Sequence, residues 1–229
     1  MLLLALSWTA VGLGVACCGV IVVDNLVRGY RQPVNVMEVV WPVTALYAGP
    51  AAVVAYRKWG RTQSQRWRQR NGPPHDRPRH AGTLIQLFHC GAHCTLGAII
   101  AETALFTTGL DAAGDRWWAE YAGDYSLAVI IGVAFRYSAG THPPGRRIRA
   151  AIATVARIDL VSVTAFEFTL FVWLAVVDRV LFPAAPRPDS PVFWFVTQVG
   201  LIAGFIAAWP ATSWLARRGN RLEPPGLPG

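Results

Sequence analysis

Residues 2–23 read LLLALSWTAVGLGVACCGVIVV, an apolar run without a charged side chain. A helix of about 20 such residues spans roughly 30 Å of hydrocarbon, so the run predicts a transmembrane helix. No basic segment precedes it and no polar domain follows it, which distinguishes it from a signal peptide. We therefore expect the chain to enter a membrane with this helix.

Similar apolar runs recur along the chain. Charged residues make up only 15% of the sequence and are concentrated between these runs, whereas soluble domains carry about 25%. The predicted spans lie near residues 2–23, 36–56, 83–110, 125–139, 150–177 and 192–215. The pattern predicts an all-α, polytopic membrane protein, a bundle of about six transmembrane helices in one domain (residues 1–219). The proline-rich residues 220–229 are predicted to be a disordered tail.

The net charge of +8 is distributed unevenly between the predicted loops. Segment 57–80 carries eight basic residues against one acidic residue: Arg57, Lys58, Arg61, Arg66, Arg68, Arg70, Arg77 and Arg79 against Asp76. The loop after the third span is acidic instead, with Asp111, Asp115, Glu120 and Asp124 against Arg116. Basic loops face the cytoplasm, so we expect an inner-membrane protein with both termini cytoplasmic. Arg28 and Arg31 conflict with this topology, since they fall in a predicted outer loop.

The basic residues flank apolar spans, so they indicate membrane orientation rather than nucleic-acid binding. Segment 57–80 is therefore predicted to be a cytoplasmic loop that contacts anionic lipid.

One cluster in the third span combines side chains that carry chemistry, His89-Cys90-Gly91-Ala92-His93-Cys94. At about 100° per residue, His93, Cys90 and Cys94 fall roughly 40°, 100° and 140° from His89 on a helix. Gln86 falls within this stripe, as do small residues, which let neighbouring helices approach. We expect the stripe to face the interior of the bundle.

Histidines four residues apart on a helix can bind one metal ion, and thiolate with imidazole suits copper(I) or zinc. A second helix or a second subunit would have to complete the ligand set. Two other interpretations stay open. The cysteines pack as small hydrophobes while the histidines hydrogen-bond to another helix, or Cys90 and Cys94 undergo reversible redox chemistry, although a one-turn separation is poor disulfide geometry.

Further polar residues within the spans are expected to support the cluster: Gln86, Glu102, Asp159, Glu167 and Gln198. Glu167 is the best second-helix partner for the histidines, because a buried carboxylate needs a cation, a proton or a donor. Glu102 is either an ion-entry carboxylate or an interface residue. Asp159 is predicted to form a structural ion pair with Arg136, and Gln198 to form a hydrogen bond.

Standard catalytic motifs are missing from the sequence. GxSxG, GxxxxGK[ST], CxxC and HExxH do not occur, so hydrolase or nucleotide chemistry is unsupported. The leading expectation is binding or transport of copper or zinc. The alternative is a non-catalytic membrane subunit or scaffold that packs against a partner in a homo- or hetero-oligomer, and the third is a membrane redox protein.

Three stretches carry a family resemblance: VVWPVTALYAGP at residues 39–50, HCGAHCTLG at residues 89–97, and residues 193–219. They resemble an uncharacterised prokaryotic membrane family, domain of unknown function 4396. The resemblance implies a multi-pass membrane protein and no established activity. This sequence departs from the family pattern at three positions, with His93 in place of Gly, Ala98 in place of Asp and Glu167 in place of Gln.

Overall fold

The computed structural model describes residues 1–74, 78–109, 116–140 and 144–217. These residues form helices and connecting segments without a β-strand, which confirms the all-α fold class. The helices are α1 (Leu2–Leu26), α2 (Met37–Ala48), α3 (Pro50–Ala55), α4 (Gln65–Asn71), α5 (Arg79–Thr108), α6 (Arg116–Ala139), α7 (Pro144–Thr154), α8 (Leu160–Val176) and α9 (Pro191–Arg217). The predicted disordered tail, residues 220–229, lies outside the described residues.

Short irregular helical turns extend several of these helices. They are Tyr56–Gly60 and Arg61–Gln63 after α3, Val155–Asp159 between α7 and α8, and Val177–Leu181 after α8. Among the described residues, four helices are long and apolar enough to cross a membrane: Leu2–Leu26, His80–Thr108, Leu160–Leu181 and Pro191–Leu215. α6 is also long, at 24 residues, and begins well before the predicted span 125–139.

The predicted second span, residues 36–56, is interrupted in its middle. α2 stops before Gly49, whose φ of 52° and ψ of −128° reverse the chain direction. A positive φ favours glycine, which has no Cβ. Pro50 then starts α3, where its missing N–H breaks no helical hydrogen bond.

The chain turns back after Gly49 instead of continuing across the bundle. Trp41 of α2 packs edge-on against Tyr56, with ring centroids 5.8 Å apart. Residues 37–63 therefore form a helical hairpin, called the hairpin below. The prediction of one crossing helix over residues 36–56 is wrong. The sequence pattern does not show the reversal, because it depends on a backbone angle and on contacts between the two arms.

Both ends of the hairpin lie at the same end of the bundle. The Tyr56 hydroxyl donates to Asp24 Oδ2 at the C-terminal end of α1 (3.0 Å). Arg61 forms an ion pair with the same carboxylate (3.1 Å), and Arg66 donates to the Arg28 carbonyl oxygen. We call this the basic end. Arg28 therefore lies with the later basic residues, and the apparent conflict with the positive-inside pattern disappears.

Further contacts place the starts of α5 and α8 and the end of α9 at the basic end: Trp59 with His80, Gln86 with Asp159, and Ser162 with Thr212. α1 is 25 residues long, so it extends about 37 Å away from this end. Within the described residues, the chain thus runs the length of the bundle five times, in α1, α5, α6, α8 and α9. Leu2 and Leu215 lie at opposite ends of the bundle, whereas the sequence led us to expect both termini on one side of the membrane.

α5 is the central helix of the bundle. Of its most apolar 18-residue window, 78% is buried, compared with 22% for α1. One apolar cluster on α5 includes Trp41 and Phe88, and a second includes Phe166 and Leu170. The polar cluster of the sequence thus lies on the most enclosed helix.

Candidate functional site

The polar stripe of α5 faces the interior of the bundle. His89, His93 and Cys94 are fully buried and Cys90 is 2% exposed. Gln86, one turn earlier, is also buried. The predicted inward orientation is confirmed, and the cluster has no exposed surface through which a ligand enters directly.

The histidine pair faces α6. The His89 and His93 ring centroids lie 5.8 Å apart, and both rings meet Phe135 edge-on, at 5.4 and 6.2 Å. Gly132 lies against the second imidazole, since a methyl group there would lie 3.4 Å from the His93 ring, in ordinary contact. The two imidazoles therefore occupy an apolar slot against α6.

Three imidazole nitrogens in this slot have no hydrogen-bond partner: His89 Nδ1, His89 Nε2 and His93 Nε2. An unsatisfied buried polar group costs about 1–3 kcal/mol. Buried histidines usually satisfy at least one nitrogen through a carbonyl, a carboxylate or a ligand. The slot thus holds nitrogen donors for which the protein supplies no partner.

The cysteine pair faces α8. Cys90 and Cys94 pack in the same apolar cluster as Phe166, and both thiols are free. Cys94 Sγ lies 3.9 Å from His93 Nδ1. The histidine pair and the cysteine pair therefore lie on different sides of α5, and they come together where His93 contacts Cys94.

Glu167 lies beside the Cys94 thiol on α8. Its carboxyl group is completely buried, and neither oxygen has a hydrogen-bond partner. The sequence predicted that Glu167 would face the histidines. The structure places it against the cysteine side of the stripe instead, because Cys90 and Cys94 are the members that turn towards α8.

Tyr47 of the hairpin also reaches the cluster, and the sequence did not predict this. Its buried hydroxyl has no hydrogen-bond partner, and a methyl group at Gly91 would overlap it. The tyrosine therefore approaches α5 at the glycine between the two cysteines. The available signal was the small residue at position 91, but residues 36–56 were interpreted as a crossing helix.

An ion pair closes the basic end of the stripe. Arg136 donates to both carboxylate oxygens of Asp159, at 2.8 and 2.7 Å, and Gln86 Nε2 donates to Oδ1 at 3.0 Å. The predicted pair of Asp159 with Arg136 is confirmed. The guanidinium also lies near His89, so the buried pair closes the cluster towards the basic end.

Carboxylates collect at the other end of the bundle, which we call the acidic end. Glu102 and Glu120 are buried and, with Asp178, line a small cavity of about 10 Å³. Asp124 lies deeper on α6 and packs against α5, since a methyl group at Gly97 would lie 3.1 Å from its Oδ1. That oxygen is buried without a partner. The sequence had assigned Asp124 to an outer loop.

Gln198, the remaining supporting residue, lies away from the cluster. Its Nε2 donates to the Leu46 carbonyl oxygen at the hairpin tip (2.6 Å). The predicted hydrogen bond is therefore present, and it anchors the hairpin to α9.

No three His, Cys, Asp or Glu side chains converge as a ready-made metal site within the part of the chain that the structure describes. A metal bound by the cluster would therefore require side-chain rotation.

A family model matches the chain over residues 81–221, more than half of its length. Its description is domain of unknown function 4396. The chain belongs to this family. The matched range contains the His/Cys stripe and its partners on α6 and α8, while the hairpin with Tyr47 precedes it. No curated protein and no solved structure matches the chain. Because the family carries no assigned activity, the functional conclusion depends on the chemistry of the site.

Proposed function

We propose that the chain is an integral membrane protein that binds a thiophilic transition metal, copper(I) or zinc, through His89, Cys90, His93 and Cys94. The observation that carries this proposal is the set of unpartnered nitrogens of the two fully buried histidines, next to two free thiols. In a membrane interior, polar groups without partners are costly and are characteristic of functional sites. A metal ion would satisfy the nitrogens and the sulfurs together.

The site closes around the metal in this proposal. Two imidazole nitrogens bound to one zinc ion lie roughly 3.3 Å apart, because Zn–N bonds are about 2.0–2.1 Å and tetrahedral. The ring centroids of His89 and His93 are 5.8 Å apart, so rotation about the side-chain bonds must bring the nitrogens together. Glu167, already beside Cys94, supplies the ligand from a second helix.

The basic end faces the cytoplasm in the proposed orientation, in the inner membrane of a prokaryotic cell. Basic side chains from four parts of the chain support this orientation, because all of them belong to segments at the basic end. They are Arg28, Arg31, Arg57, Lys58, Arg61, Arg66, Arg68, Arg70, Arg146, Arg147 and Arg149. The positive-inside rule then places the acidic end outside. Arg57, Lys58, Arg68 and Arg70 are exposed, so we expect them to contact anionic headgroups.

A packing role is the second candidate. The cluster is sealed, and no three ligand-type side chains converge within the described residues, as expected when cysteines and histidines only fill space between helices. In that case the protein is a membrane subunit or scaffold whose partner, or a second copy, supplies the activity.

Elemental analysis of the purified protein, reconstituted with zinc or copper(I) and desalted, separates the two candidates. We expect about one equivalent of metal per chain, and a loss of at least tenfold in a His89→Ala/His93→Ala variant. The matched control replaces Cys17 and Cys18, which lie on α1 and are not proposed ligands, and should retain the metal. Less than about a tenth of an equivalent in the wild type, or equal binding by the histidine variant, would refute the metal site.

A further inference from the structure

A ligand that binds the sealed cluster must reach it from one end of the bundle. The basic end is unfavourable for a cation, because the ion pair of Arg136 with Asp159 closes it. The pair is almost fully buried, with side-chain exposures of 10% and 2%. A cation would have to break this pair, which would leave a charge buried without its counter-charge.

The acidic end has the opposite character. Glu102 on α5, Glu120 on α6 and Asp178 after α8 line the same small cavity, so three different segments contribute carboxylates to it. Its volume of about 10 Å³ is comparable to one water-sized probe. One of its lining residues, Glu102, belongs to α5, the helix that carries the cluster.

Asp124 continues the series inwards. It lies four residues after Glu120 on α6, and residues at this spacing share one side of a helix. Its contact with Gly97 is three residues from Cys94, about 4.5 Å along α5. Asp124 is only 3% exposed, yet its Oδ1 has no hydrogen-bond partner. Neither an ion pair nor a structural hydrogen bond therefore accounts for the burial of this oxygen.

Asp124 is buried, and the carboxyl groups of Glu167 and Glu102 lie near it. Two guanidinium groups do stand near the cavity, Arg179 close to Tyr121 and Arg187 over the Phe106 ring (5.4 Å). The carboxylates therefore continue from the mouth, past Asp124, towards Glu167.

We infer that these carboxylates form the entry route for the metal cation: Glu102, Glu120 and Asp178 at the mouth, then Asp124, then Glu167 beside Cys94. The inference rests on the proposed metal site and adds the direction of access, from the acidic end only. A lined acidic route raises the local concentration of cations and their association rate by about 10- to 1,000-fold. It does not require these carboxylates, apart from Glu167, to be ligands in the final complex.

Stopped-flow mixing with Cd²⁺ tests the route, because binding to thiolates produces an ultraviolet absorption band. The protein is held in nanodiscs, and both the association rate and the equilibrium Kd are measured. Asp124→Asn and Glu102→Gln should each slow association about 5- to 10-fold while Kd changes less than about twofold. The matched control is Glu38→Gln at the basic end, where Glu38 pairs with Arg31 at 2.9 Å; its association rate should equal that of the wild type.

The possible outcomes separate the route from the site. Wild-type binding with association rates unchanged in both acidic-end variants would overturn the route alone. A Kd weakened in proportion, with an unchanged association rate, would make Asp124 a ligand and also overturn the route. Failure of the wild type to bind Cd²⁺ overturns both proposals. If a variant does not fold, salt dependence in the wild type decides, since a rate that is insensitive to ionic strength contradicts acidic steering.

Discussion

The substitution His89→Leu should stabilise the metal-free protein, contrary to the usual effect of changing a fully buried residue. Both ring nitrogens of His89 lack partners and the side chain is completely buried. Removing an unsatisfied buried polar group recovers about 1–3 kcal/mol. Leucine fills a similar volume against Phe135, so the loss of packing is small. We expect a gain of about 1–2 kcal/mol in the free energy of unfolding.

The matched control is Gln198→Leu, a change of the same kind at a side chain that does have a partner. It removes the bond to the Leu46 carbonyl oxygen (2.6 Å), and hydrogen bonds between membrane helices contribute about 0.6 kcal/mol on average. This variant should lose about 0.5–1.5 kcal/mol, since the carbonyl is left without its donor. The two substitutions should therefore shift stability in opposite directions.

Unfolding in detergent with a chelator present, and again with zinc, measures both effects. At a metal concentration 100 times Kd, the wild type should gain about 2.7 kcal/mol, while His89→Leu should gain almost none. A loss of more than about 1 kcal/mol in metal-free His89→Leu would refute the reasoning, because it would mean that the imidazole nitrogens have a stabilising partner.

Three other predictions concern the surroundings of the cluster. Gly91→Ala should destabilise the fold by about 1–3 kcal/mol, because its methyl group overlaps the Tyr47 hydroxyl; Tyr47→Phe in the same chain should restore part of the loss in a thermal unfolding assay, and no restoration would contradict this contact. Asp159→Asn should cost about 3–5 kcal/mol, because it leaves the buried Arg136 without a counter-charge; an unchanged unfolding midpoint would show that the pair is not buried. In membrane vesicles, the single-cysteine variants Arg31→Cys and Lys58→Cys, one on each side of the hairpin, should both react with an impermeant maleimide from the same face of the membrane. Labelling from opposite faces would contradict the hairpin and support one crossing helix.

Several features of this protein follow from local patterns in the sequence. The length of the apolar runs identifies membrane helices, because the hydrocarbon thickness sets a minimum number of residues. Helical periodicity places His89, His93, Cys90 and Cys94 on one stripe, and their burial agrees with it. A carboxylate and a guanidinium in neighbouring spans stabilise each other in a medium of low dielectric constant. This predicted the pair now seen between Arg136 of α6 and Asp159, just before α8.

The course of the chain between these elements depends on contacts that no local pattern contains. Residues 36–56 have the length and apolarity of a crossing helix, yet the backbone at Gly49 and the bond from Tyr56 to Asp24 turn them back. Because these residues do not cross the bundle, α1 runs in the direction opposite to the predicted one. The reversal also brings Tyr47 to the cluster.

Asp124 shows the same limit, because its position near the end of an apolar run indicated a loop, whereas packing against Gly97 buries it. The sequence by itself determined the membrane helices, the His/Cys stripe and the pair of Asp159 with Arg136, since these depend on hydrophobicity, helical period and charge. Only the tertiary structure decided which helix faces each member of the stripe, where the carboxylates meet and how the chain threads the bundle. Those properties arise from side-chain packing between residues far apart in sequence.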